Sequence, residues 1–189
     1  MITVAKLIFS TITSLDGYIE DETGNFDWGT PDEEVLSFIN GLERPIGTYL
    51  YGRRMYETMA YWETYETTND DPLSIRDFVE IWRAADKIVY SRTLAEVSSI
   101  RTRFEHGFDP EVVLRMKKTS GHNLSVSGPN LAGPMMAAGL LDELHLFVTP
   151  VAIGSCNPAL SSHFSSNLEL LGVDRFASGG VHLHYRTHG

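Results

Sequence analysis

The run Val4-Ala-Lys-Leu-Ile-Phe-Ser-Thr-Ile-Thr13 carries apolar side chains at both odd and even positions. A strand with one wet face alternates apolar and polar residues, so a run apolar on both parities reads as a strand covered on both sides. Further strands are expected at 46–51, 87–91, 124–128 and 144–151, with helical patterns between them. Thr30-Pro31 followed by Glu33 has the form of a capping box with proline at the first helical position, and Val35, Phe38, Ile39 and Leu42 follow at helical spacing. Residues 53–62 read as a helix, 63–73 as an acidic loop, and Ser74 opens another helix. Asp109 caps a helix over 110–118, and a small-residue helix runs from the turn at Gly128 to Gly139, short or kinked because Pro134 lies inside it. Strand–helix alternation of this kind builds a mostly parallel sheet with helices on both faces. Two final strands, 167–176 and 181–187, lack a helix between them and suit an antiparallel hairpin at one edge. The expectation is one α/β domain over residues 1–189, a three-layer α/β/α sandwich around a mixed sheet.

Composition narrows the functional classes. At 42% hydrophobic and 21% charged residues the chain is an ordinary globule. Its single cysteine, Cys156, excludes an internal disulfide and a multi-cysteine zinc site. No run approaches the length of a membrane span and no secretory leader opens the chain, so a cytoplasmic location is expected. The formal charge is −10. Residues 1–80 hold 16 acids against 5 bases, so neither nucleic acid nor an anionic membrane is an expected partner.

Several motifs are missing: G-x-G-x-x-G, the P-loop, G-x-S-x-G and H-E-x-x-H. What stands out is Tyr51-Gly-Arg-Arg-Met-Tyr-Glu57, which puts Arg53 and Arg54 in the first turn of a helix directly after a strand. Cations there oppose the helix dipole, and an anion held by the free N–H groups and both guanidiniums would reverse that penalty. The plainer reading is two surface arginines paired with acids such as Glu57. Ser91-Arg92 and Ser127-Gly128-Pro129-Asn130 also sit at strand ends, the edge where open α/β sheets bind ligands.

Four segments in order, Thr13-Ser-Leu-Asp-Gly-Tyr-Ile19, Tyr51–Glu57, Lys87-Ile-Val-Tyr-Ser-Arg-Thr-Leu94 and Ser127-Gly-Pro-Asn-Leu131, resemble the dihydrofolate reductase superfamily. Ala138-Gly-Leu-Leu-Asp-Glu-Leu144 and Thr149-Pro-Val-Ala-Ile-Gly154 resemble the branch of the riboflavin-biosynthesis reductase domain. The resemblance implies a reductase that binds NADPH extended across the strand ends, in preference to NADH, and passes hydride to a small heterocycle or carbonyl compound. A riboflavin-pathway pyrimidine is the substrate class it points to; a non-catalytic nucleotide-binding or structural dimer with the same fold is the other reading. By the same resemblance Gly52, Arg53 and Arg54 hold cofactor phosphates, and Ser91 and Arg92 flank the 2′-phosphate. Ser127, Gly128, Asn130 and Leu131 face the pyrophosphate, while Leu15, Asp16, Gly17 and Ile19 lie over the nicotinamide. Relatives carry a cis peptide that falls here between Ser127 and Gly128, with Pro129 trans. A homodimer is implied, with residues 138–151 at or near its interface.

Glu33 and Asp16 are the candidate catalytic carboxylates. Glu33 follows Trp28-x-x-Pro31 in a stretch resembling the substrate-binding carboxylate of folate-reducing relatives, yet the capping box also explains it. Asp16-Gly17 is also ordinary turn chemistry. His182 and His184 share a strand face opposite Val181, Leu183 and Tyr185 and read as a solvated edge strand; with no third ligand apparent, no metal is expected. His145 reads as a core or interface residue, Cys156 has no activating partner in sequence, and Trp28, Trp62 and Trp82 read as core or pocket wall.

Overall fold

A computed structural model of the chain describes residues 4–154, 157–161 and 164–188; Cys156 lies outside the described residues. The two-sided run becomes β1 (Leu7–Thr13), which pairs in parallel with both β6 (Asn123–Ser127) and β7 (Glu143–Val148). With β3 (Ile46–Gly52), β4 (Asp86–Tyr90), β5 (Thr102–Glu105), β9 (Asn167–Arg175) and β10 (Val181–His188) these strands form one sheet in the order β5-β4-β3-β6-β1-β7-β10-β9. All neighbours are parallel except at β10, which runs antiparallel to β7 and to β9. A short ribbon pairs β2 (Tyr18–Glu20) with β8 (Asn157–Pro158).

Alternate residues of each strand feed the two faces. Leu7 and Phe9 of β1, Leu50 of β3 and Val126 of β6 point one way, onto α5 (Pro110–Thr119) and α6 (Pro129–Ala137). Ile8, Tyr49, Tyr51 and Val89 point the other way, onto Tyr56 of α2 (Arg53–Met59) and Trp82 of α4 (Leu73–Ala84). On that second face α1 (Glu33–Glu43) sets Val35 and Phe38 against Ile12 and Phe147. Each fully buried side chain of this size is worth about 1.5–3 kcal/mol, so the double-sided β1 anchors both layers. Trp82 is fully buried and its indole N–H donates to Tyr51 Oη at 3.2 Å, which satisfies the one polar atom it brings into the core.

Several expectations need correction. The helix at 30–42 starts two residues late: Asp32, not Thr30, is the cap, its carboxylate accepting from Val35 N at 2.9 Å, while Thr30 closes a 3-10 turn over Asp27–Gly29. Asp competes well for this position and Asp32 itself is extended, so Glu33 is an exposed first-turn residue and no capping box accounts for it. The expected 53–62 helix is split at Ala60, with α3 (Tyr61–Thr64) separate. Pro134 does leave α6 short, ended by Gly139 at φ 65°. No cis peptide occurs among the described residues, so the Ser127–Gly128 bond is trans; Gly128 makes the turn instead at φ 88°, a conformation open to a residue without Cβ.

The histidine strand is not a solvated edge. β10 lies between β7 and β9, and His182 is 2% exposed, with its Nδ1 3.0 Å from Asp174 Oδ2 and its Nε2 2.9 Å from His145 Nδ1. Burial pushes the His182 imidazole below its ordinary pKa, as it does for His184. Within the stretch 138–151, Leu140, Leu141 and Leu144 are buried in the protomer's own core, while Ala138, Gly139 and Pro150 are exposed. Among the exposed apolar side chains of the described residues, Leu168, Leu170, Leu171 and Val173 share one strand, β9.

One interior acid makes a test of this core. Glu43, near the end of α1, lies against Tyr49, and burial, opposed only in part by that tyrosine, pushes its carboxyl up to about 7. A raised folded-state pKa means the folded protein holds a proton that the unfolded chain releases near 4.5, so the associated stability is present below that value and is lost as pH rises toward 7 and beyond. The full span corresponds to about 3 kcal/mol. Chemical denaturation of the wild type should therefore weaken between pH 5 and pH 8, and Glu43→Gln should flatten that slope.

Candidate functional site at the strand ends

The carboxyl ends of β4, β3, β6 and β1 are consecutive in the sheet, so the loops carrying the expected cofactor residues meet along one edge. Two helices start there side by side. α2 begins after Gly52 and α6 after Gly128, and neither has a side-chain cap. A Cβ on Gly52 would lie 3.9 Å from Leu131, and one on Gly128 would lie 3.7 Å from Met55, so the two first turns are in contact through their glycines. Uncapped first turns leave main-chain N–H groups directed outward, and at α6 the N–H of Asn130 serves this role because Pro129 has none. The register sets Ser127 beside Tyr51, at the junction of the two starts.

The arginines divide. Arg53 Nε donates to Glu57 at 2.7 Å and its Nη1 to Thr93 Oγ1 at 2.9 Å, which ties the start of α2 to the loop after β4. Arg54 holds Glu20 of β2 in a two-pronged pair, at 2.9 and 2.7 Å, and Asn157 Nδ2 also donates to Glu20. Arg54 thus staples α2 to the β2–β8 ribbon, the surface-pairing reading carried out by an acid 34 residues away. Arg92 is exposed, and among the described residues nothing pairs with it. The Ser91 hydroxyl is buried and accepts from the amides of Thr93 and Leu94 at 3.2 and 3.0 Å, so it shapes the loop that presents Arg92.

The loop after β1 is equally determined. Ser14 N donates to Tyr18 O, Ser14 Oγ accepts from Tyr18 N, and Gly17 sits at φ 90° where a side chain would be strained. Leu15 is 70% exposed at the tip, tied by its amide to Val151 O, and Ile19 lies half-buried in β2. Asp16 accepts from Ser14 Oγ at 2.6 Å and from the amides of Ile153 and Gly154. The Ser14 hydroxyl first, then the Gly154 amide, hold its carboxyl below the usual range, so it stays ionised and acts as a clasp between the β1 and β7 loops. Glu33 stands apart from this clasp, at the start of α1, which enters over the end of β1 with Gly29 packed on Ile12. Sequence reading missed Glu20, Thr93 and Ser14; only Thr93 had a local signal, two residues beyond Ser91.

The fold is dihydrofolate reductase-like. Residues 5–182 match the family model of the RibD C-terminal domain, and the chain belongs to that family. It is 29% identical to the uncharacterized protein YyaP of Bacillus subtilis over 97% of this chain and 96% of that one. A putative riboflavin biosynthesis protein from Shewanella sp. PV-4 superposes with a TM-score of 0.74 at 18% identity, covering 98% and 99% of the two chains. Dihydrofolate reductase from Enterococcus faecalis, complexed with NADP(H), superposes at 0.65 and 14% identity over the full length of both.

Removing the clasp should loosen both loops without unfolding the sheet. In Asp16→Ala, hydrogen exchange at the amides of Ile153 and Gly154 should accelerate while exchange in β1 and β6 stays unchanged.

Proposed function

We propose that this protein, as one domain over residues 1–189, is an NADPH-dependent reductase that transfers hydride to a small heterocyclic or carbonyl substrate. The substrate class favoured is a pyrimidine related to 5-amino-6-(5-phosphoribosylamino)uracil. The observation that carries the reading is the contact of two uncapped helix starts, at Gly52 and Gly128, beside Arg53 and Arg92. Such a donor set fits a dinucleotide's phosphates: outward main-chain N–H groups, the Ser127 and Thr93 hydroxyls and guanidinium charge lie along one groove. Family membership and the NADP(H) complex of the Enterococcus faecalis structural neighbour support it.

When bound, the nicotinamide supplies the hydride. The chain's own part is placement and exclusion of water. Arg53 exchanges an exposed ion pair with Glu57, worth at most about 1 kcal/mol, for a phosphate, whereas Arg92 has no pair to give up. Leu15, Gly17 and Ile19 cover the nicotinamide end, held there by Asp16. Glu33, free of a capping role, is the carboxylate assigned to orient the substrate and support its protonation.

Two copies of the chain form the working unit in this proposal, and β9 rather than residues 138–151 is the surface assigned to their contact, because its leucines and Val173 are exposed. Sedimentation should give a dimer mass that Leu170→Glu reduces to the monomer's; a wild-type monomer at all concentrations would reject this part.

Thermal-shift and calorimetric titrations test the cofactor. NADPH should bind more tightly than NADH, and Arg92→Ala should remove most of the difference, a loss of about tenfold or more for one charge-assisted contact. Equal binding of both dinucleotides overturns the assignment. NADPH binding with no oxidation against a panel of pyrimidines and carbonyl compounds would instead favour a non-catalytic nucleotide-binding or structural dimer.

A further inference from the structure

At the amino-terminal end of β7, a strand's length from the groove, two strands bring three metal-ligating side chains together. Glu143 and His145 lie on β7 and His184 on β10, with one donor atom from each within 4.8 Å of the others. His184 Nε2 is 3.3 Å and His145 Nε2 3.9 Å from Glu143 Oε2. A tetrahedral zinc ion with its ligands at about 2.0–2.2 Å sets neighbouring ligand atoms roughly 3.3–3.6 Å apart. We propose that Glu143, His145 and His184 form a binding site for a zinc-class divalent metal ion.

Hydrogen bonding behind these ligands determines where the lone pairs point. The Asp174 carboxylate accepts from His182 Nδ1 at 3.0 Å, so a neutral His182 presents Nε2 as an acceptor. That atom is 2.9 Å from His145 Nδ1, which must then donate. A neutral His145 is left with its lone pair on Nε2, facing the Glu143 carboxylate. Either a proton on His145 Nε2 or a metal ion can stand between the two groups, and the geometry of the three ligand atoms favours the metal. This carboxylate–histidine–histidine chain is the outer support that metal-ligating histidines use. His184 adds a second, independent observation: its Nε2 is buried yet, although close to Glu143, lies outside hydrogen-bond geometry and has no hydrogen-bond partner.

The charges around the cluster allow a cation on one side only. Lys6 Nζ holds Glu143 Oε1 at 2.5 Å, leaving Oε2 toward the histidines, and the half-exposed lysine has room to turn outward. Arg186, on the same face of β10, is committed to Glu169 at 2.8 Å. The rings of His145 and His184 stack at 4.1 Å with 17° between their planes. Convergence on one ion therefore requires the His184 ring, the more open of the two, to rotate about its Cβ–Cγ bond. Three protein ligands leave a fourth position for water on that side.

The test uses purified full-length protein stripped with a chelator and titrated with Co(II), then with Zn(II). One equivalent of Co(II) should produce visible ligand-field bands and be displaced by Zn(II), and either metal should raise the denaturation midpoint. His184→Asn, at a partly open position, should fold normally and lose binding at least tenfold. Asp174→Asn should weaken it by about 10–100-fold through the outer chain. Equal binding by wild type and His184→Asn overturns the proposal. So does nitrogen NMR showing a proton on His145 Nε2 between pH 6 and 8 with zinc in excess. NADPH titrations of His184→Asn should match wild type, which separates this site from the groove.

Discussion

Everything in this molecule hangs on the pairing of β1 with β6 on one side and β7 on the other. Its odd residues fill one helical layer and its even residues the other, so a polar substitution at Phe9 or Ile8 would open the core to water from either side. The same strand projects the Ser14–Ile19 loop to the groove and, through Asp16, fixes the loop that leaves β7. Position in the sheet, more than any local motif, explains why residues distant in sequence share one edge.

That edge is electrostatically two-sided. The acidic residues 1–80 carry two of the three guanidiniums, and acids satisfy both: Glu57 holds Arg53 and Glu20 holds Arg54, while Arg92 lies beyond that half. The two pairs differ in kind. Arg53 and Glu57 are both about half exposed and interact across one helical turn, an arrangement solvent screens strongly, whereas the Glu20 side chain is 13% exposed and has a second donor in Asn157. A phosphate arriving at this edge would displace the first pair more readily than the second.

Much of the architecture was legible because strands buried on two faces leave an unambiguous pattern, as Leu7–Thr13 and Ile46–Gly52 do. Strand β5, Thr102-Arg-Phe-Glu105, escaped notice since an edge strand of four residues with alternate exposure looks like a loop. The start of α1 was misplaced because Thr30 and Asp32 both satisfy the chemistry of a cap, and only the backbone decides between them. For the site, residues at strand ends were readable from Gly, Ser and Arg after apolar runs. Glu20 was not, because Arg54 reaches it from a helix 34 residues on, and neither was the meeting of Glu143 with His184, which the pairing of β7 with β10 brings about. His182 and His184 were misjudged for a related reason: nothing in the last strand says that β9 will pair beyond it and take the edge for itself.

The central strand also precedes every other strand of its sheet in the chain. Lys6 meets Asn123 across 117 residues, and Leu7 meets Asp142 across 135. Until those segments leave the ribosome, an emerging chain carries a two-sided apolar ribbon with both hydrogen-bonding edges vacant. Contacts of such long range slow folding, since the loops they close must be ordered before any pairing repays the entropy. During that interval the segment Leu7–Thr13 is a template for unrelated strands. Strand order alone therefore sets a constraint on folding: β1 stays without either neighbour until the segments that form β6 and β7 are available.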